Sequence, residues 1–113
     1  MNELNLADAH IDDLRAAQDS VDLRLTTWDG KPLRLLFSGV IAFESEGALG
    51  TDLSHLTAGG HIDYVRRAAD RAEIDEAAVR CFAFVSSWSD VPVLKIVART
   101  MSEIPSSGDA RNG

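Results

Sequence analysis

The sequence predicts an α+β domain, an antiparallel β-meander of about five or six strands with one packed helix. Three observations carry this. Several stretches alternate apolar and polar residues, those stretches are joined in pairs by short turn-forming segments, and one longer segment repeats apolar residues at helical spacing. The 113 residues, 45% of them hydrophobic, suit one domain that buries a core without disulfides. That domain is expected over residues 1–104. The polar residues 105–113, Pro-Ser-Ser-Gly-Asp-Ala-Arg-Asn-Gly, are expected to be a disordered tail.

Residues 7–18 look helical on propensity alone. Over 21–28, Val21, Leu23 and Leu25 alternate with Asp22, Arg24 and Thr26, the pattern of a strand with one buried face. A second strand is expected over 33–44. It places Leu33, Leu35, Phe37, Ile41 and Phe43 on one face, and Leu36, Val40 and Ala42 on the other. The turn between these strands is decided by parity. A two-residue Asp29-Gly30 turn would put Leu25 opposite Arg34. A three-residue loop, Trp28 to Gly30, pairs Leu25 with Leu33, Leu23 with Leu35 and Val21 with Phe37, with Gly30 in the left-handed position; a five-residue loop keeps the same parity.

The stretch from Glu46 to Leu56 is punctuated by glycine and is expected to be a long connection with a helical turn. Residues 61–78 favour helix, at least from Arg66 to Ala72, although His61 to Arg66 equally fits a short edge strand. A second hairpin follows. Phe82, Phe84, Ser86 and Trp88 share one strand face, and a Ser89-Asp90-Val91 loop pairs Phe84 with Ile96 and Phe82 with Ala98 on a strand running from Val91 to Arg99.

Charge and composition narrow the function. Eighteen acidic against eleven basic side chains leave a net charge of −7, which speaks against nucleic-acid or anionic-membrane binding. The N-terminus shows no basic region followed by an apolar core, and no apolar run approaches the ~20 residues of a membrane span, so a cytoplasmic location is the expectation. Cys81 sits in an apolar run and is read as a small core residue rather than a reactive thiol.

No cofactor-binding fingerprint is visible, and no nucleophile elbow or helical zinc motif marks a catalytic residue. If the first segment is extended, Asp8, His10 and Asp12 share a face. With His55 and His61 they form the candidate metal set Asp8, His10, His55 and His61, since imidazole and carboxylate suit zinc or manganese. A solvated strand face and loop histidines are the plainer reading. Glu44 and Glu46 read as the polar end of a strand. Arg66, Arg67 and Arg71 read as a solvated helix face neutralised by Asp63, Asp70 and Asp75. Trp28 and Trp88 each stand beside a hairpin turn and are the candidate partner-binding residues, against the alternative that they cap the core.

One longer pattern joins these segments. Asp8-Ala9-His10-Ile11-x-x-Leu14 is followed by Val21-x-Leu23-x-Leu25, Asp29-Gly30 and Leu33-x-Leu35-x-Phe37-x-Gly39-Val40-x-x-Phe43, then by Phe82-x-Phe84-x-Ser86 and Val93-Leu94-x-Ile96-x-Ala98. This resembles the small bacterial domains of the YxiG-like kind and is similar to some immunity proteins of toxin systems. The resemblance implies an opening strand at about 9–17, an antiparallel sheet and no established enzyme activity. The helix-rich stretch Arg66 to Ala78 departs from it.

The functional expectation is therefore a non-enzymatic protein-binding module, an immunity or inhibitor type of protein. A small metal-binding protein or metal-dependent hydrolase using Asp8, His10, His55 and His61 is the alternative, and a homo-oligomeric structural protein is the third. Exposed sheet edges make a homodimer part of the expectation.

Overall fold

A computed structural model describes residues 6–47 and 50–104. Eight strands form two four-stranded antiparallel sheets. The first holds β1 (His10–Ala16), β2 (Ser20–Thr26), β3 (Pro32–Ser38) and β8 (Thr100–Ile104), in the order β1-β2-β3-β8. The second has the order β4-β7-β6-β5, from β4 (Ala42–Ser45), β5 (Leu53–Ala58), β6 (Arg80–Ser86) and β7 (Pro92–Ala98). One helix, α1 (Ile62–Ala72), and a single 3-10 turn (Glu76–Ala78) link β5 to β6. The architecture is α+β and antiparallel, with eight strands rather than five or six and two packed sheets rather than one meander.

The extra strands arise from two bends. β3 and β4 are one chain path broken at Gly39–Ile41, and β7 and β8 are one path broken at Arg99. Each path leaves one sheet and enters the other, and the two bends lie side by side, where the Arg99 amide donates to the Ser38 carbonyl at 3.1 Å. Gly39 has φ +66, and a Cβ there would lie 2.7 Å from Arg99 Cγ and Cδ and 2.9 Å from its Cβ. The bend thus needs both the left-handed backbone and the missing side chain. It also separates residues that a single strand would put together. Leu35 and Phe37 are buried between the sheets, whereas Ile41 and Ala42 pack toward α1 on the outer face.

On the opposite side the sheets meet more thinly. His10 bridges Asp52, and three backbone hydrogen bonds flank the bridge: Asp8 to Leu53, Leu53 to Ala9 and Gly50 to Ile11. The strands therefore form a ring of six chain paths with alternating direction.

The core between the sheets collects Ile11, Val21, Leu23, Leu25, Leu35 and Phe37 from one side and Leu53, Leu56, Phe82, Phe84, Leu94 and Ile96 from the other. Phe37 packs edge-on against Phe82 and Phe84, with ring centroids 5.2 and 6.1 Å apart. A smaller second core lies under α1, where Val65 and Ala68 cover Val79, Cys81 and Val97. Helix therefore wins over strand for residues 62–66, and the exposed outer side of α1 follows from Asp63, Arg66 and Arg67 facing water. Residues 10–16 are strand, not the helix that propensity alone suggests.

The first hairpin has the register that parity requires, pairing Val21 with Phe37, Leu23 with Leu35 and Leu25 with Leu33. Gly30 takes φ +83, and its amide donates to the Thr27 carbonyl. Asp22 and Arg34 cross this hairpin on its outer face with two charge-assisted hydrogen bonds of 3.0 and 2.7 Å. That bidentate contact, more than any other, holds the Asp22 carboxyl below the usual carboxylate range.

Three expectations need correction. Phe84 pairs with Leu94 and Phe82 with Ile96, a two-residue slip from the expected register that preserves every face. The turn starts early because the Ser86 hydroxyl accepts from the amides of Trp88 and Ser89, which takes Trp88 off the strand and into the turn. Leu53–Ala58 is strand β5 rather than a helical connection. A bulge between Leu53 and His55 places Leu53 and Leu56 three residues apart yet both inward, hiding the period of two. Finally, 100–104 form β8, beyond the strand expected to end at Arg99. The tail expected at 105–113 lies outside the described residues. Among the described residues no helix is long and apolar enough to cross a membrane.

Replacing Gly39 by Ala is expected to cost about 1–3 kcal/mol, from the left-handed backbone and the collision with Arg99. Gly39→Val should cost more, and urea unfolding midpoints measure both. Phe84→Ala should cost about 3–5 kcal/mol, because Phe84 is completely enclosed.

Candidate functional site

The two tryptophans are the most exposed large apolar side chains among the described residues, Trp28 at 74% and Trp88 at 84%. Neither caps the core. Each sits on a hairpin tip whose backbone is fixed by local hydrogen bonds. At Trp28, the Thr27 hydroxyl binds Asp29 and accepts from the Lys31 amide, and the Thr27 amide donates to the Lys31 carbonyl.

At Trp88 the fixing is stronger. Ser86 is buried, its hydroxyl accepts from the amides of Trp88 at 3.0 Å and Ser89 at 3.4 Å, and the Asp90 amide donates to the Ser86 carbonyl. The Ser87 amide ties the tip to the Asp52 carbonyl of the neighbouring β5 path at 3.0 Å. Asp90 closes the turn at φ +62. Val91, 52% exposed, belongs to the same connection between β6 and β7 and adds to its apolar surface. The sequence places Ser86 on a strand face and Val91 in the loop without marking either as part of the tip, although a serine two residues before a tip aromatic is a turn signal.

The two tips do not converge. Directions alternate around the ring, so the turn after β2 and the turn after β6 emerge at opposite ends of the fold. One small ligand cannot touch both.

The candidate metal residues are dispersed. Asp8 lies in a turn at φ +63, before β1 begins. His10 is half exposed, with Nε2 at 3.1 Å from Asp12 Oδ1. Asp12 sits at the bulge between Ile11 and Asp13 and also accepts from the Thr26 hydroxyl, so the one contact the structure makes within the expected cluster is His10 with Asp12. His55 is exposed on β5, with Nδ1 at 2.9 Å from the Ser54 hydroxyl. His61 precedes α1 in a left-handed conformation. Among the described residues no group of three or more His, Cys, Asp or Glu side chains is arranged to hold a metal ion.

A feature that the sequence did not reveal is a cleft of about 390 Å³ between α1 and β4, lined by Ile41, Ala42, Phe43, Glu44, Tyr64, Arg67, Ala68 and Arg71. Lys95 links two of its lining residues. The Lys95 ammonium is 3.2 Å from Glu44 Oε1 and 5.0 Å from the centre of the Tyr64 ring. Burial, reinforced by the Glu44 charge, pushes the Tyr64 phenol up to about 12. Beneath the helix, burial pushes the Cys81 thiol up to about 11, so at neutral pH it is protonated and a poor nucleophile. Arg66 pairs with Glu76 at 3.2 Å. The arginines do not, as a group, form a neutralised helix face: neither Arg67 nor Arg71 has an ion pair with a carboxylate among the described residues.

No family model matches the chain, and neither a curated protein nor a solved structure shows significant similarity to it.

Tyr64 and Cys81 make the fold alkali-sensitive. Their ordinary values are 10 and 9, and the folded values are about 12 and 11, so between about pH 9 and 12 the unfolded chain has released protons that the folded one keeps. Stability should fall as pH rises through that window. Urea midpoints at pH 8, 10 and 11 should decline, and Tyr64→Phe should flatten the upper part of the slope. At pH 8 a thiol reagent should label Cys81 at least tenfold more slowly in the native protein than in urea.

Proposed function

We propose that this chain is a non-enzymatic protein-binding module of the inhibitor or immunity type, which engages its partner chiefly through the hairpin tip carrying Trp88. The observation behind this reading is an 84% exposed tryptophan, sharing its connection with the half-exposed Val91, on a tip whose backbone is tied down by a buried serine. Tryptophan is enriched among residues that dominate interface energy. A tip held in shape before binding loses little conformational freedom on association. Trp28 is a second, separate anchor at the other end of the fold, suited to a different part of a large partner or to a different molecule.

The test is affinity capture of the tagged full chain from a lysate of its source organism, run in parallel with Trp88→Ala and Trp28→Ala. The wild-type chain should retain a stoichiometric partner that Trp88→Ala loses, with at least a tenfold weaker Kd by calorimetry against that partner and an unchanged thermal midpoint. Equal affinity of a folded Trp28→Ala/Trp88→Ala double variant would overturn the reading.

A further inference from the structure

β4 is an edge strand. It pairs with β7 alone, and among the described residues no strand occupies its other side. The pairing alternates. The Glu46 amide donates to the Val93 carbonyl, and the register continues through Glu44 opposite Lys95 and Ala42 opposite Val97. Those even-numbered positions exchange hydrogen bonds with β7, so the main-chain groups of Phe43 and Ser45 point to the open side. Phe43 is 41% exposed.

Natural edges are usually blunted by charge, bulges or a covering element. Here the covering element stops short. α1 rests its Val65 and Ala68 on the sheet, while Arg67 and Arg71 line the cleft that separates the helix from β4. The single carboxylate lining that cleft, Glu44, is engaged by Lys95, which leaves two guanidinium groups available to a ligand. On a chain of net charge −7, this is a locally basic slot beside an unpaired strand edge.

The geometry points to an extended acidic peptide segment of a partner protein as the occupant, added antiparallel or parallel to β4 as a further strand with its carboxylates on Arg67 and Arg71. The dimensions agree. Arg67 and Arg71 are four residues apart, a rise of about 6 Å along a helix. Residues i and i+2 of a strand share a face about 6.7 Å apart. An acidic-x-acidic segment therefore presents two carboxylates to two arginines while its backbone pairs with Phe43 and Ser45. A small free anion would use the arginines but leave the strand edge unpaired. This inference rests on the reading of the chain as a protein-binding module, but it uses a surface distinct from the Trp88 tip.

The probe is a fluorescently labelled peptide, acetyl-Thr-Val-Glu-Val-Glu-Val-Thr-amide, titrated against the full chain by anisotropy, with the Gln-for-Glu peptide as control. The Glu peptide should bind at least tenfold more tightly than the control, and its affinity should fall as salt rises. Arg67→Gln/Arg71→Gln should lose at least tenfold. Ser45→Pro, which removes an outward N–H, should weaken binding severalfold, and Ser45→Ala controls for loss of the side chain. Trp88→Ala should leave peptide binding unchanged.

Equal affinity for the two peptides would overturn the inference, and so would binding that survives both the double Arg substitution and Ser45→Pro in variants with unchanged thermal midpoints. Competition by inorganic phosphate together with indifference to Ser45→Pro would replace the peptide with a simple anion. Concentration-dependent dimerisation abolished by Ser45→Pro would replace it with a second copy of this chain. Failure of the peptide while capture still depends on Trp88 would reject the cleft alone; peptide binding with no Trp-dependent partner would reject the tip alone.

Discussion

Everything in this fold turns on the corner where Gly39 lies against Arg99. Two long chain paths leave one sheet and enter the other at that point, and they can bend side by side only because one of them carries no side chain there. The bend converts what would be a single wide sheet into two sheets that face each other, so that Phe37 meets Phe82 and Phe84. It also reverses which residues look inward. Ile41 and Ala42, coming just after the corner, face the helix rather than the main core. The seat of α1 on the outer face, and with it the cleft beside β4, is a downstream effect of that one close approach.

The parts of the fold readable from the sequence are those where alternation runs unbroken. β2 and β3 contain no bulge, so parity alone limits the turn to an odd number of residues and gives the full register. The apolar repeat of α1 was equally legible, although Ile62 proves to be exposed, because the helix begins only at that residue and the second core sits further along. Where one residue is inserted the signal fails. The irregularities after Ile11 and after Leu53 shift the inward positions by one, so no clean alternation offsets the helix propensity of β1 or the glycines that precede β5. At β6 and β7 the parity held but the length did not, since a side-chain hydroxyl began the turn before the backbone pattern required it.

Sites were harder to read than strands. That Trp28 and Trp88 flank turns is a local property and was visible at once. That they emerge from opposite ends is a property of the strand order, which no local pattern encodes. The arginines of α1 show the same limit from the other side. Counting neighbours along the chain suggested that Asp63, Asp70 and Asp75 neutralise them, but only Arg66 finds a carboxylate, and it finds Glu76 across the 3-10 turn. The dispersal of Asp8, His10, His55 and His61 likewise follows from bulges and turns that composition does not announce.

The join between β1 and β5 has a consequence of its own. A ring of strands is only as tight as its thinnest link, and here that link is one bridge and three flanking hydrogen bonds, while the neighbouring pairs run for four to seven residues. Breaking it costs no other pairing, because every remaining strand keeps its neighbour. The molecule is thus built like a cuff with a clasp. An opening confined to that clasp would bring water to Ile11 and Leu53 while the Gly39 corner stays shut.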